Sequence, residues 1–75
     1  MKVFEKTVGN DKIRVENKWD GEKLFVNDEL QDEQLGFFVG RSRLYGKLSD
    51  GKVVKVSLGG TWTIDCRIFV DDKLV

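Results

Sequence analysis

Lys12-Ile13-Arg14-Val15-Glu16-Asn17-Lys18-Trp19 alternates without a break: Lys12, Arg14, Glu16 and Lys18 fall on one side of an extended chain, Ile13, Val15, Asn17 and Trp19 on the other. A period of two belongs to a strand, because a helix would spread the same charges around its whole circumference. Thr61 to Val70 repeats the pattern, with Trp62, Ile64, Cys66, Ile68 and Val70 on one face and Thr61, Thr63, Asp65, Arg67 and Phe69 on the other. Each stretch predicts a half-buried strand of an antiparallel sheet.

Working outward, shorter β-rich runs occupy Lys2–Val8, Glu22–Val26, Leu35–Val39, Arg43–Leu48 and Lys52–Leu58. Gly9-Asn10-Asp11, Asp20-Gly21, Ser49-Asp50-Gly51 and Gly59-Gly60 separate them with residues that tolerate the positive φ of tight hairpin turns. Proline is absent, so every strand can donate to a ladder. Residues 1–75 therefore read as a single all-β domain, an antiparallel β-sandwich or partly open barrel of short hairpin-connected strands. One segment admits a second reading. In Asn27–Gly36, Asp28 could cap a helical turn that Gly36 ends, although Leu30 and Leu35, five apart, give such a helix no apolar stripe.

The chain also echoes itself. Leu24-Phe25-Val26-Asn27-Asp28-Glu29-Leu30 matches Ile68-Phe69-Val70-Asp71-Asp72-Lys73-Leu74 in residue character at each position, and each phrase follows a tryptophan, Trp19 or Trp62. The reading is two repeated hairpin units, each running strand, tight turn at Asn27-Asp28 or Asp71-Asp72, then strand. The alternative is that the two phrases are merely similar turns.

The order of these features resembles the β domain of the Fas apoptotic inhibitory molecule family. The resemblance is carried by Ile13-Arg14-Val15-Glu16, Gly21, Leu24–Glu29, Phe37-Phe38-Val39-Gly40, Lys52–Val56, Gly60-Thr61-Trp62 and Ile68–Leu74. The chain departs from that family in having Asn-Asp and Asp-Asp where a glycine usually stands in the turn. The resemblance implies an antiparallel β-sandwich that acts through protein contacts and has no enzymatic activity.

Composition narrows the chemistry. The chain has no histidine, the commonest general base and zinc ligand. Its one cysteine, Cys66, shares the apolar face with Trp62, Ile64, Ile68 and Val70, where a thiol is inert packing. The acidic residues Asp28, Glu29, Asp32 and Glu33 lack the spacing of a calcium loop and read as a solvated face. The glycines are not followed by the helix and Lys-Ser/Thr of a phosphate loop. No catalytic residue, metal site or cofactor is therefore expected, nor an enzyme. No apolar run is long enough for a membrane span, and the lone thiol suits a reducing compartment, so the expected location is cytoplasmic.

Thirteen basic residues balance 13 acidic ones, which removes the whole-domain electrostatic argument for nucleic acid. Locally the balance fails: residues 16–34 are acidic and residues 41–56 basic. Two surfaces follow. Phe25 and Phe69 fall on the outward faces of their strands at matched positions, a candidate patch for a protein partner or a homo-oligomer. The alternative is a β-bulge near Glu22 or Asp65 that turns both rings into the core. The second surface is Phe38, Arg41, Arg43, Tyr45 and Lys47, aromatic and basic residues interleaved as in single-strand nucleic-acid binders. Protein binding or self-association is the leading expectation and nucleic-acid binding the alternative.

Overall fold

The structure is a computed structural model that describes residues 1–36, 42–60 and 64–75. Among them are eight strands: β1 Lys2–Val8, β2 Asp11–Lys18, β3 Gly21–Val26, β4 Glu29–Leu35, β5 Ser42–Lys47, β6 Val53–Gly59, β7 Asp65–Val70 and β8 Lys73–Leu74. They form two antiparallel four-stranded sheets, β1-β2-β3-β4 and β5-β6-β7-β8. Within each sheet consecutive strands pair, so each sheet is a meander. Among the described residues no helix is long and apolar enough to cross a membrane.

The alternation in β2 does what its pattern predicts: Ile13 and Val15 are fully buried, while the charged residues between them lie on the outer face. Inward residues of both sheets meet in one core, Ile13, Val15, Leu24 and Val26 from the first against Leu44, Val54, Val56, Leu58, Ile68 and Val70 from the second. Leu48, just beyond β5, closes one end of it. The predicted strand at Lys12–Trp19 stops one residue early, and Trp19 enters the β2–β3 turn with 81% of its surface exposed. Residues 61–63, at the start of the predicted Thr61–Val70 strand, lie outside the described residues, as do 37–39 of the predicted Leu35–Val39 run.

The helical reading of Asn27–Gly36 is replaced by a strand, β4. Asn27 and Asp28 both take positive φ, 52° and 66°, making the two-residue hairpin turn whose twist suits antiparallel strands. Asp71 and Asp72, at φ 48° and 66°, make the same turn between β7 and β8.

The two sheets repeat one another beyond these turns. The Lys12 N–H donates to Asn27 Oδ1 and the Asn27 N–H to the Lys12 carbonyl, each at 2.9 Å. In the second sheet the Val53 N–H donates to Asp71 Oδ1 and the Asp71 N–H to the Val53 carbonyl, again at 2.9 Å. Arg14 stands across from Phe25, and Lys55 across from Phe69. The units differ at the end of each meander, where β4 has seven residues and β8 two.

The sheets meet along β4 and β5. A bulge in β4 sets Asp32 opposite Leu24 and Leu30 opposite Phe25, leaving Gln31 without a partner on β3. Asp32 Oδ2 accepts from the Tyr45 N–H at 2.9 Å, and Gln31 Oε1 from the Lys47 N–H at 3.3 Å. Side chains of one edge strand thus occupy backbone donors of the other.

Candidate binding surface

Alternation along β5, β6 and β7 puts Arg43, Tyr45 and Lys47, then Val53, Lys55 and Ser57, then Asp65, Arg67 and Phe69 on the outward face of the second sheet. Cross-strand register sets Tyr45 beside Lys55, and Ser57 beside both Arg43 and Arg67. Four cations thus share a face with a tyrosine ring that is 50% exposed. Asp65 is the one acid among the outward residues of these three strands, 3.6 Å from Arg67. Arg43 and Lys47 have no acidic partner among the described residues, so their charge is available to solvent or to a ligand.

The outer face of the first sheet is built differently. Lys12 pairs with Glu5 at 2.8 Å, and Arg14 bridges Glu16 and Asp28. Acids and bases there neutralise one another within the sheet. The basic excess read from residues 41–56 stays on β5 and β6, because β7 adds Arg67 together with its partner Asp65.

Phe25 and Phe69 both lie on outward faces, each half-buried. The Arg14 guanidinium covers the Phe25 ring at 4.3 Å, and the Lys55 ammonium lies 5.0 Å from the Phe69 centroid. Asp28 holds Arg14 in place, and Asp72 lies 3.8 Å from Lys55. A ring, a cation and a turn acid thus form the same stack on each sheet, and the stack supplies the rings' burial. The bulge lies in β4 and leaves Phe25 outward, with Leu24 and Val26 turned to the core. Of the five aromatic and basic candidates, Arg43, Tyr45 and Lys47 share one strand face, whereas Phe38 and Arg41 lie outside the described residues.

A groove of about 280 Å3 opens where β6 runs into β7, lined by Ser57, Leu58, Gly59, Gly60, Asp65 and Arg67. Gly59 presents backbone there in place of a side chain, and Arg67 gives the rim a cation. Sequence reasoning passed over Lys55, Arg67 and this groove because they join the basic strand only through sheet register.

It also passed over two buried carboxylates. Glu22 is on the inward face of β3 with Leu24 and Val26 and is 3% exposed. Asn17 Nδ2 donates to Glu22 Oε1 at 3.3 Å, while Glu22 Oε2 and Ser42 Oγ make no hydrogen bond among the described residues. Burial pushes the Glu22 carboxyl above its usual range; the Ser42 hydroxyl, close by, pulls weakly the other way. Parity within Glu22–Val26 was the available signal, hidden because Glu22 was counted with the acidic run.

Asp11 sits at the opposite end of the fold. Asn27 Nδ2 donates to Asp11 Oδ1 at 2.8 Å, and the Ser49 hydroxyl to Asp11 Oδ2 at 3.0 Å. One carboxylate thereby links β2, the β3–β4 turn and the turn after β5. These bonds, that from Asn27 foremost, hold the Asp11 carboxyl below its usual range.

The Cys66 thiol is half-buried, and burial, with Asp65 adding to it, pushes its pKa up to about 11. It is a thiol rather than a thiolate at neutral pH, hence a poor nucleophile. Among the described residues no cluster of three His, Cys, Asp or Glu side chains is placed to hold a metal ion. No family model, curated protein or solved structure matches this chain.

Proposed function

We propose that the chain is a small cytoplasmic, non-enzymatic binding module that takes an acidic protein partner on the outward face of its second sheet. The observation that carries this is that Arg43, Lys47, Lys55 and Arg67 share a sheet face with a half-exposed Tyr45, and that Asp65 and Asp72 pair only with Arg67 and Lys55, leaving Arg43 and Lys47 without an acidic partner among the described residues. Tyrosine and arginine are the residues that dominate binding energy at protein interfaces, and unpaired rim cations speed the approach of an acidic partner. The stacks over Phe25 and Phe69 shift emphasis away from a patch of bare rings. The likeness of residues 12–74 to a family of protein-binding β domains points to the same class of function.

A second reading has its own observation. Tyr45 between Arg43 and Lys47 on one strand face is also the arrangement on which a nucleic-acid base can stack while phosphates meet the cations. Titrating the chain with an acidic peptide and, separately, with a single-stranded oligothymidylate separates the two. The protein reading expects shifts of the Arg43, Tyr45, Lys47 and Arg67 resonances with the peptide, lost in Arg43→Glu/Lys47→Glu. Tighter, strongly salt-dependent binding of the oligonucleotide to the same residues would overturn it.

A further inference from the structure

Register draws one row across the outward face of the second sheet. Arg43 stands opposite Ser57 on β6, and Ser57 stands opposite Arg67 on β7. Directly opposed residues point to the same side of a sheet, about 4.5–5.5 Å apart at Cα, so the two arginines rise on either side of the serine hydroxyl with about 10 Å between their Cα atoms. Side chains as long as arginine span half of that distance and can close over Ser57. The groove at the junction of β6 and β7, with Ser57, Gly59 and Arg67 in its lining, opens beside the row.

The first sheet holds a copy of this row with a different centre. Since Phe25 corresponds to Phe69 and Arg14 to Lys55, the matching residues are Val3, Glu16 and Lys23, paired in the same order across β1, β2 and β3. The central place there holds a carboxylate, Glu16, whose Oε2 lies 3.2 Å from Arg14 Nε. In the second sheet the central place holds a hydroxyl, and arginine stands on both sides of it. Arg43 has no acidic partner among the described residues, and Arg67 has only Asp65, exposed and 3.6 Å away. That separation exceeds the roughly 2.7–2.9 Å of a charge-assisted hydrogen bond, and an exposed pair of this kind is easily exchanged. One copy of the row carries its own anion, and the other leaves the place to an anion from outside.

We infer that Arg43, Ser57 and Arg67 form a phosphate site, and that its ligand is a phosphorylated side chain of the acidic protein partner. The inference rests on the proposed function and names the chemistry by which that partner is recognised. A planar carboxylate offers its two oxygens to one guanidinium fork. A phosphomonoester offers three terminal oxygens arranged tetrahedrally, so each arginine donates from its own side and the Ser57 hydroxyl from below, while nearly two negative charges meet two positive ones. Arg67 exchanges Asp65 for the stronger anion. A long polyanion is the poorer fit, because 13 acidic residues balance 13 basic ones and the chain has no net charge to hold it beyond this face.

The test titrates the 75-residue chain, followed by NMR, with three capped peptides of sequence Glu-Gly-Xaa-Gly-Glu in which Xaa is phosphoserine, glutamate or serine. The phosphoserine peptide should bind about tenfold or more tightly than the glutamate peptide, with shifts centred on Arg43, Ser57 and Arg67 and a displaced phosphorus resonance. Ser57→Ala should weaken the phosphoserine peptide more than the glutamate peptide. Arg43→Lys/Arg67→Lys, which keeps the charge and removes the forks, should abolish most of the preference for phosphate. Asp65→Asn, which frees Arg67, should strengthen phosphoserine binding. Equal binding of the phosphoserine and glutamate peptides, both weakened by Arg43→Glu/Lys47→Glu, would overturn the phosphate site and leave the acidic-partner reading standing. Binding of neither, or tighter binding of oligothymidylate or of phosphoinositide vesicles than of the phosphoserine peptide, would overturn both. The substituted positions all lie on the outward face, and the amide spectrum of each variant reports that it is folded.

Discussion

Asn27 does three jobs with one short side chain. It holds φ at 52°, accepts the Lys12 N–H and donates to Asp11. Asn27→Ala should lower stability by about 2 kcal/mol, since it loses both side-chain bonds and imposes a left-handed backbone on a residue with a Cβ. Asn27→Gly loses the bonds but relieves the backbone, so its denaturant midpoint should lie between those of wild type and Asn27→Ala. The two buried carboxyls give opposite pH responses. Asp11 titrates lower in the fold than in the unfolded chain, so its contribution is present above the unfolded pKa and lost as pH falls through the folded one. Glu22 titrates higher in the fold, so its contribution is complete below the unfolded pKa and is lost as pH rises through the folded one. Glu22→Gln should therefore be more stable than wild type at neutral pH, with the advantage gone in mild acid; denaturant melts at both pH values check this. Asp11→Asn should instead be the less stable form at neutral pH and converge with wild type as acid protonates Asp11.

At the scale of elements, strands with a clean period of two were legible, and so were the turns. β4 was legible only as the return strand after the Asn27-Asp28 turn, with a helical turn competing over Asn27–Gly36, and the reason is its bulge. Gln31 has no partner on β3, so the alternation of Glu29–Leu35 breaks in the middle, and its polar side chains serve the seam with β5 instead of a plain solvent face. A strand that reads neither as period two nor as helix is what a bulged seam strand looks like from sequence. Trp19 was misread for a related reason, because periodicity does not say where a strand stops. The basic face was half legible: Arg43, Tyr45 and Lys47 share one strand, but their grouping with Lys55 and Arg67 depends on register. The seam also explains Gly46. A Cβ there would lie 2.9 Å from Gln31 Cβ and 3.2 Å from Leu24 Cδ2, so only a bare backbone lets β5 approach β4 this closely. Gly46→Val should cost about 1–3 kcal/mol by overpacking. Hydrogen exchange should show the Tyr45 and Lys47 amides losing protection first, as the Gln31 and Asp32 bonds are the ones forced apart.

For the whole molecule, the decisive fact is that the repeat is structural but the core is shared. Each meander has local pairing throughout and could form its own hairpins, yet each buries only one face and needs the other sheet to cover it. Among the described residues, seven of the eleven buried apolar ones, Leu44, Leu48, Val54, Val56, Leu58, Ile68 and Val70, belong to the second half, so the first sheet depends on the second for most of its cover. A peptide of residues 1–36 should then be unfolded alone, with collapsed amide dispersion, although it contains four complete strands. In the intact chain, Leu24→Ala in the first sheet should cost about 3 kcal/mol and destabilise both sheets together, because the cavity opens in packing they share. Amide exchange would read this as equal loss of protection at Val15 and Val56. If the first sheet lost protection while the second kept it, the halves would be two independent units rather than one core.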